Sequence, residues 1–115
     1  MIQSVTASFM FPSWLKLPTR TQLSANYPNP FNPETWIPCQ LAADSTVTAK
    51  IYDVTGKQIR MIELGRVTTG NYVESSRAIY WDSRTEDGER VSSGTYFYQI
   101  GVDSYTDTRK MVILK

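Results

Sequence analysis

The thirteen residues from Asn26 to Pro38 read NYPNPFNPETWIP and hold four prolines. No other stretch constrains the fold of this chain so tightly. Proline fixes its φ and donates no backbone hydrogen bond, so the stretch excludes a helix and makes a poor central strand. Each residue before a proline is pushed to β or polyproline geometry. The side chains of Asn29 and Asn32 suit Asx-turns, in which they bond their own downstream backbone. The sequence therefore predicts a rigid, kinked entry strand and corner of a small β-sandwich. Phe31 is expected to plug one end of that sandwich, and the prolines to blunt the sheet edge against aggregation.

From Leu23 onward the remaining pattern is all-β. In TVTAKIY, Val47, Ala49 and Ile51 point one way, and Thr46, Thr48 and Lys50 the other. DVTG follows, with Gly56 supplying the positive φ of a tight turn. KQIRMIEL returns as the second strand of a hairpin over Thr46 to Leu64, and its alternation slips between Met61 and Ile62 as at a β-bulge. RAIYWD is a short strand. Asp87-Gly88 and Gly94 mark turns. TYFYQIGV alternates Tyr96, Tyr98 and Ile100 against Phe97 and Gln99, and TRKMVILK is the final strand. About seven short strands with regular turn signals and no helical period predict an antiparallel β-sandwich, immunoglobulin-like or fibronectin-type. The Cys–Trp–Cys signature of antibody domains is absent.

At 115 residues the chain holds one domain. Residues 1–22 are expected to be a linker or the tail of a preceding domain, with Val5, Ala7, Phe9 and Phe11 in period two. Residues 23–115 are expected to form the sandwich. No apolar run reaches the length of a membrane span, so no membrane insertion is expected. Met1 to Leu17 lacks the basic region of a signal peptide, and the export signal of an exported domain is expected to lie elsewhere.

The chemistry is sparse. The chain has no histidine, which removes the commonest general base and metal ligand. Cys39 is the sole cysteine, so it forms no internal disulfide and reads as a small buried hydrophobe. A net charge of +1 with no basic cluster argues against nucleic acid. Asp82, Glu86, Asp87 and Glu89 gather around one turn, but Arg84 and Arg90 lie among them and the spacing is not that of a calcium loop. Trp36, Trp81, Tyr52, Tyr80, Tyr96 and Tyr98 suggest either a sugar-stacking face or packing, and Trp81 is assigned to the core. The serines lack an activating partner. These residues predict no enzyme, no cofactor, no metal and no small-molecule substrate.

Taken in order, NYPNPFNP, the YDVTG hairpin, the Trp81-Asp82 turn, SGTYFY and the lysine-flanked last strand resemble the C-terminal sorting domain of type IX (Por) secretion cargo. That domain is similar to the immunoglobulin-like domain of the flagellar hook-capping protein. The resemblance covers Leu23 to Lys115. Gly94 and Tyr96 match its G-x-Y element. Lys110, Met111, Val112, Ile113, Leu114 and Lys115 match its terminal element. Asn29, Pro30, Phe31, Asn32, Pro33, Trp81 and Asp82 match its structural motif. Two departures stand out: Ser83 replaces the expected glycine after Trp-Asp, and the insert GRVTTGNYVESSRA is long.

The resemblance implies a non-enzymatic module that targets a larger secreted protein across the outer membrane to the bacterial cell surface. Its partner would be a secretion-machinery or surface-scaffold protein, which reads the folded sandwich and its final strand. That strand offers backbone groups for strand addition, and its lysines can steer an acidic partner. Its position at the end of the chain suits a sorting signal, and it is expected to fray without unfolding the domain. The alternative is a structural or adhesive immunoglobulin-like module of a surface scaffold that binds a partner domain or glycan.

Overall fold

A computed structural model describes residues 18–103 and 105–115. The period-two strand expected around Val5 to Phe11 lies outside the described residues. Nine strands follow in order: β1 (Gln22–Leu23), β2 (Thr35–Ile37), β3 (Cys39–Leu41), β4 (Ser45–Tyr52), β5 (Gln58–Val67), β6 (Gly70–Tyr72), β7 (Ile79–Trp81), β8 (Gly94–Val102) and β9 (Tyr105–Ile113). The described residues contain no α-helix.

One layer is a four-stranded sheet in the order β5-β4-β8-β9, antiparallel throughout. The other layer is built from short pieces, β1-β3-β6 and β2-β7. These pieces align into three longer strands. β2 and β3 are one run broken at Pro38, whose missing N–H interrupts the ladder. The Pro38 carbonyl still accepts the Ser24 N–H at 3.0 Å, and Tyr27 and Trp36 exchange backbone bonds at 2.9 and 2.8 Å, which carries β1 along the whole run. On the other side, Cys39 faces Tyr72 and Ile37 faces Ile79. The chain between Tyr72 and Ile79 therefore loops out opposite Pro38. There the Ala78 and Arg77 N–H groups both bond to the Glu74 carbonyl.

Three composite strands against four make an immunoglobulin-like β-sandwich. The prolines were expected to keep their stretch off the middle of a sheet, yet Thr35–Leu41 is the middle strand of its layer. It tolerates Pro38 because the neighbouring strand bulges away at that position.

The two inner faces meet in one core. Leu23, Ile37, Cys39, Leu41, Ile79 and Trp81 come from one layer, and Val47, Ala49, Ile51, Tyr98, Ile100, Val102, Met111 and Ile113 from the other. The alternation read in β4 and β8 matches their burial residue by residue. Full burial of one such aliphatic side chain stabilises by about 1.5–3 kcal/mol.

The β4–β5 turn is a local device. The Asp53 carboxylate accepts bonds from the Thr55 N–H at 2.9 Å, the Thr55 hydroxyl at 2.6 Å and the Lys57 N–H at 3.0 Å, while Gly56 takes a φ of 87°. The Thr55 hydroxyl bond is the main reason the Asp53 carboxyl titrates below its ordinary value. The expected bulge in β5 exists, but not at Met61 and Ile62, which face Lys50 and Ala49 in register. The register instead slips near Ile59 and near Leu64, where Gly65 takes a φ of 73°. The hairpin also runs on to Val67, because Gly65 lets the pairing resume.

Candidate functional site on the terminal strand

β9 pairs with β8 along its whole length, placing Gly94 opposite Ile113 and Tyr96 opposite Met111. Its side chains divide the expected terminal element in two. Met111 and Ile113 are 0% and 1% exposed and belong to the core. Lys110, Leu114 and Lys115 are exposed, and Val112 is half-buried. Gly94 takes a φ of 150° at the strand's entry, with open space where a Cβ would stand.

The outer edge of β9 is closed at its C-terminal end by the proline stretch. The Phe31 N–H donates to the Val112 carbonyl at 3.0 Å, and the Leu114 N–H donates to the Phe31 carbonyl at 3.1 Å. The Asn29 side-chain oxygen accepts the Val112 N–H at 3.0 Å. Asn29 therefore does not close a local Asx-turn as expected, because a more distant donor offers a fixed edge. Asn32 is exposed and forms no side-chain hydrogen bond among the described residues. On the far side, the Lys115 N–H donates to Ser93 Oγ at 3.0 Å and its ammonium to the Val91 carbonyl. The terminal strand is thus tied on both flanks and anchored in the core, and is not built to fray alone.

Beneath this clasp sits an aromatic cluster. Phe31, 2% exposed, meets Trp81 edge-on at 5.9 Å, and Trp81 meets Tyr96 edge-on at 6.0 Å. The Trp81 indole N–H donates to the Arg84 carbonyl at 2.9 Å, and the Tyr96 hydroxyl to the Ser92 carbonyl at 2.8 Å. Pro30 is exposed on the clasp, while the Pro33 carbonyl accepts the hydroxyl of Ser83. Ser83, where the resembled turn has glycine, holds a φ of 66° and is fully buried.

The acidic turn is spoken for by its own chain. Asp82 accepts the Arg84 N–H at 3.1 Å and pairs with Arg60 at 3.3 Å. The Glu86 carboxylate accepts the Met61 N–H at 2.8 Å, and the Glu86 N–H donates to the Ile59 carbonyl at 2.9 Å. This turn therefore covers part of the β5 edge. No group of three metal-ligating side chains gathers among the described residues.

The aromatics separate by face. Trp81, Tyr96 and Tyr98 are core, whereas Trp36 and Tyr80 lie outside with Tyr27 across three neighbouring strands. Ring centroids are 6.2 Å apart for Tyr27 and Trp36 and 5.7 Å for Trp36 and Tyr80. The sequence pattern does not single out Tyr27, because its bridge to Trp36 is a tertiary pairing with no local signal. Tyr52 belongs to the other sheet, where its hydroxyl lies 3.4 Å from Gln99 Oε1.

The Cys39 thiol is buried, and burial pushes its pKa up, away from reactivity. The domain is an immunoglobulin-like β-sandwich.

Residues 35–107 match the family described as the FlgD Ig-like domain, well over half of the chain, and the chain belongs to that family. Among solved structures it is similar to dimeric latent PorU from Porphyromonas gingivalis, at 22% identity and a TM-score of 0.61, over 82% of this chain and 9% of that one. It is also similar to PorZ of Porphyromonas gingivalis, an essential bacterial surface component of the type-IX secretion system. There the identity is 24% and the TM-score 0.54, over 79% of this chain and 11% of that one. Both likenesses are of fold, and this chain spans about a tenth of either protein's length. No curated protein matches the chain.

Proposed function

We propose that residues 23–115 are a sorting and anchoring module that carries a larger secreted protein across the outer membrane to the cell surface through type IX machinery. The observation that carries this reading is the shared sandwich of PorU and PorZ, the second of which is a surface component of that system. Its partner is a secretion-machinery or surface-scaffold protein. The recognition surface is the folded domain together with the outward residues of its last strand, Lys110, Val112, Leu114 and Lys115. Gly94 and Tyr96 act through the fold, by shaping and packing the strand that β9 pairs with.

The test is a fusion of residues 23–115 to the end of an exported reporter, in a bacterium with type IX machinery. The reporter is expected at the cell surface. Deleting Lys110 to Lys115 is a poor probe, because it strips Met111 and Ile113 from the core. Replacing Lys110 and Lys115 by Glu leaves those residues in place, and is expected to reduce surface display if an acidic receptor reads the lysines. A fusion retained in the periplasm overturns the sorting reading. A charge-reversed fusion displayed as well as the original overturns the role of the lysines.

The adhesive reading is favoured by one observation, the outward strip of Tyr27, Trp36 and Tyr80. Retention of the isolated domain on a glycan surface, lost with Tyr80→Ala, would support that reading in place of sorting.

A further inference from the structure

The clasp formed by Asn29 and Phe31 covers β9 only at Val112 and beyond. Backbone groups of an antiparallel strand face its two neighbours alternately. Both the N–H and the C=O of Val112 face outward, since both bond to the clasp. By the same alternation Thr106, Thr108 and Lys110 turn theirs outward. Among the described residues no strand pairs with that stretch of edge.

The side chains between these positions carry a self-complementary pattern. Asp107 and Arg109 lie beside a cleft of about 570 Å³ between β9 and the start of β1, shared with Arg20, Gln22 and Tyr105. Neither Asp107 nor Arg109 forms an ion pair among the described residues.

We infer that this edge is a homodimer interface, in which the β9 strands of two copies pair antiparallel about Thr108. In that register Thr108 faces Thr108 of the second copy, and each Thr106 faces a Lys110. The outward backbone groups then meet one another. Each Asp107 stands opposite an Arg109, so the symmetric interface carries the charge pair twice. Neighbouring symmetric registers fail. Centring on Asp107 sets two carboxylates face to face. Centring on Arg109 sets two guanidinium groups face to face and drives the second copy into the clasp at Val112. The charges that protect the edge from indiscriminate pairing thus permit one partner, a second copy of this chain. This inference does not depend on the sorting role.

An interface of one short strand is far smaller than a standard stable one, so the dimer is weak, with a Kd of roughly 10–500 µM. Sedimentation velocity on the full chain, from about 10 µM to 1 mM, is expected to show a reversible monomer–dimer equilibrium that weakens as salt is raised. Asp107→Lys alone and Arg109→Glu alone each place like charges across both symmetric contacts, and each is expected to raise the Kd by about tenfold or more. Mixed together, the two variants restore opposite charges at both contacts and are expected to form a heterodimer. Thr108→Pro removes an outward N–H that β8 does not use. It is expected to abolish dimerisation with the far-UV spectrum unchanged. A full chain that stays monomeric to 1 mM overturns the proposal. So does a dimer unaffected by either charge reversal, or a mixture of the two variants that fails to associate while each remains folded.

Discussion

The side-chain oxygen of Asn29 accepts the backbone N–H of Val112 at 3.0 Å, across 83 residues of sequence. With Phe31 it seals the last part of the β9 edge. Asn29→Ala removes this acceptor at an exposed site, where water can partly replace it. The expected cost is about 0.5–1.5 kcal/mol, a fall in Tm of about 4–8 °C per kcal/mol for a domain of this size. Faster hydrogen exchange at the Val112 amide, with little change at core amides, is the local signature to measure.

The Tyr98 hydroxyl ties the two layers together, accepting the Asn26 N–H and donating to the Ser24 carbonyl, both at 3.0 Å. Tyr98→Phe keeps the ring but leaves the Asn26 N–H buried without its partner. It is expected to lose about 1–3 kcal/mol in chemical denaturation.

Burial also raises the Tyr98 pKa above its ordinary value of 10.0. The folded state therefore holds the phenolic proton to higher pH than the unfolded chain does. This contribution to stability is fully present below pH 10.0 and is lost as pH rises through the higher folded value. Denaturation curves across the alkaline range are expected to show that decline, and Tyr98→Phe to flatten it. Equal slopes for both proteins would disprove the linkage.

Ser83 holds a left-handed backbone that glycine adopts more readily, and its hydroxyl bonds to the Pro33 carbonyl. The two effects oppose each other in Ser83→Gly, which relieves roughly 1 kcal/mol of strain and loses a bond of similar worth. That variant is expected within about 1 kcal/mol of the original. Ser83→Ala keeps the strain and loses the bond, and is expected to be the least stable of the three. Thermal melts that place Ala above Gly would contradict this account.

Trp81 touches both Phe31 and Tyr96 and is fully buried. Trp81→Ala and Phe31→Ala are each expected to destabilise by about 3–5 kcal/mol. Because the two rings are in contact, the double variant should lose less than the sum, which a double-mutant cycle measures directly.

The sequence by itself determined the strands whose two faces differ. From Val47 in β4 and from Tyr96 in β8 the inward residues are apolar or aromatic at every second position, and period two is a local property that needs no partner to be read. The Asp53–Gly56 turn was legible for the same reason, since its bonds lie within five residues. Trp81 in the core followed from its place in a short strand ahead of a turn.

Only the tertiary structure decided the rest. Trp36 stands in a strand much like that of Trp81, yet it faces out, because the register of β2 against β7 sets it beside Tyr80 and sets Thr35 beside Trp81. Pro38 sits in a middle strand because a distant segment loops away opposite it. The β5 bulges fall where β4 demands them, not where the hydrophobic pattern slips. Asn29 reaches Val112 instead of its own neighbours because β9 offers a fixed donor at the right distance. Each of these is a pairing between residues far apart in sequence, whose geometry exists only once the two layers have closed on their shared core.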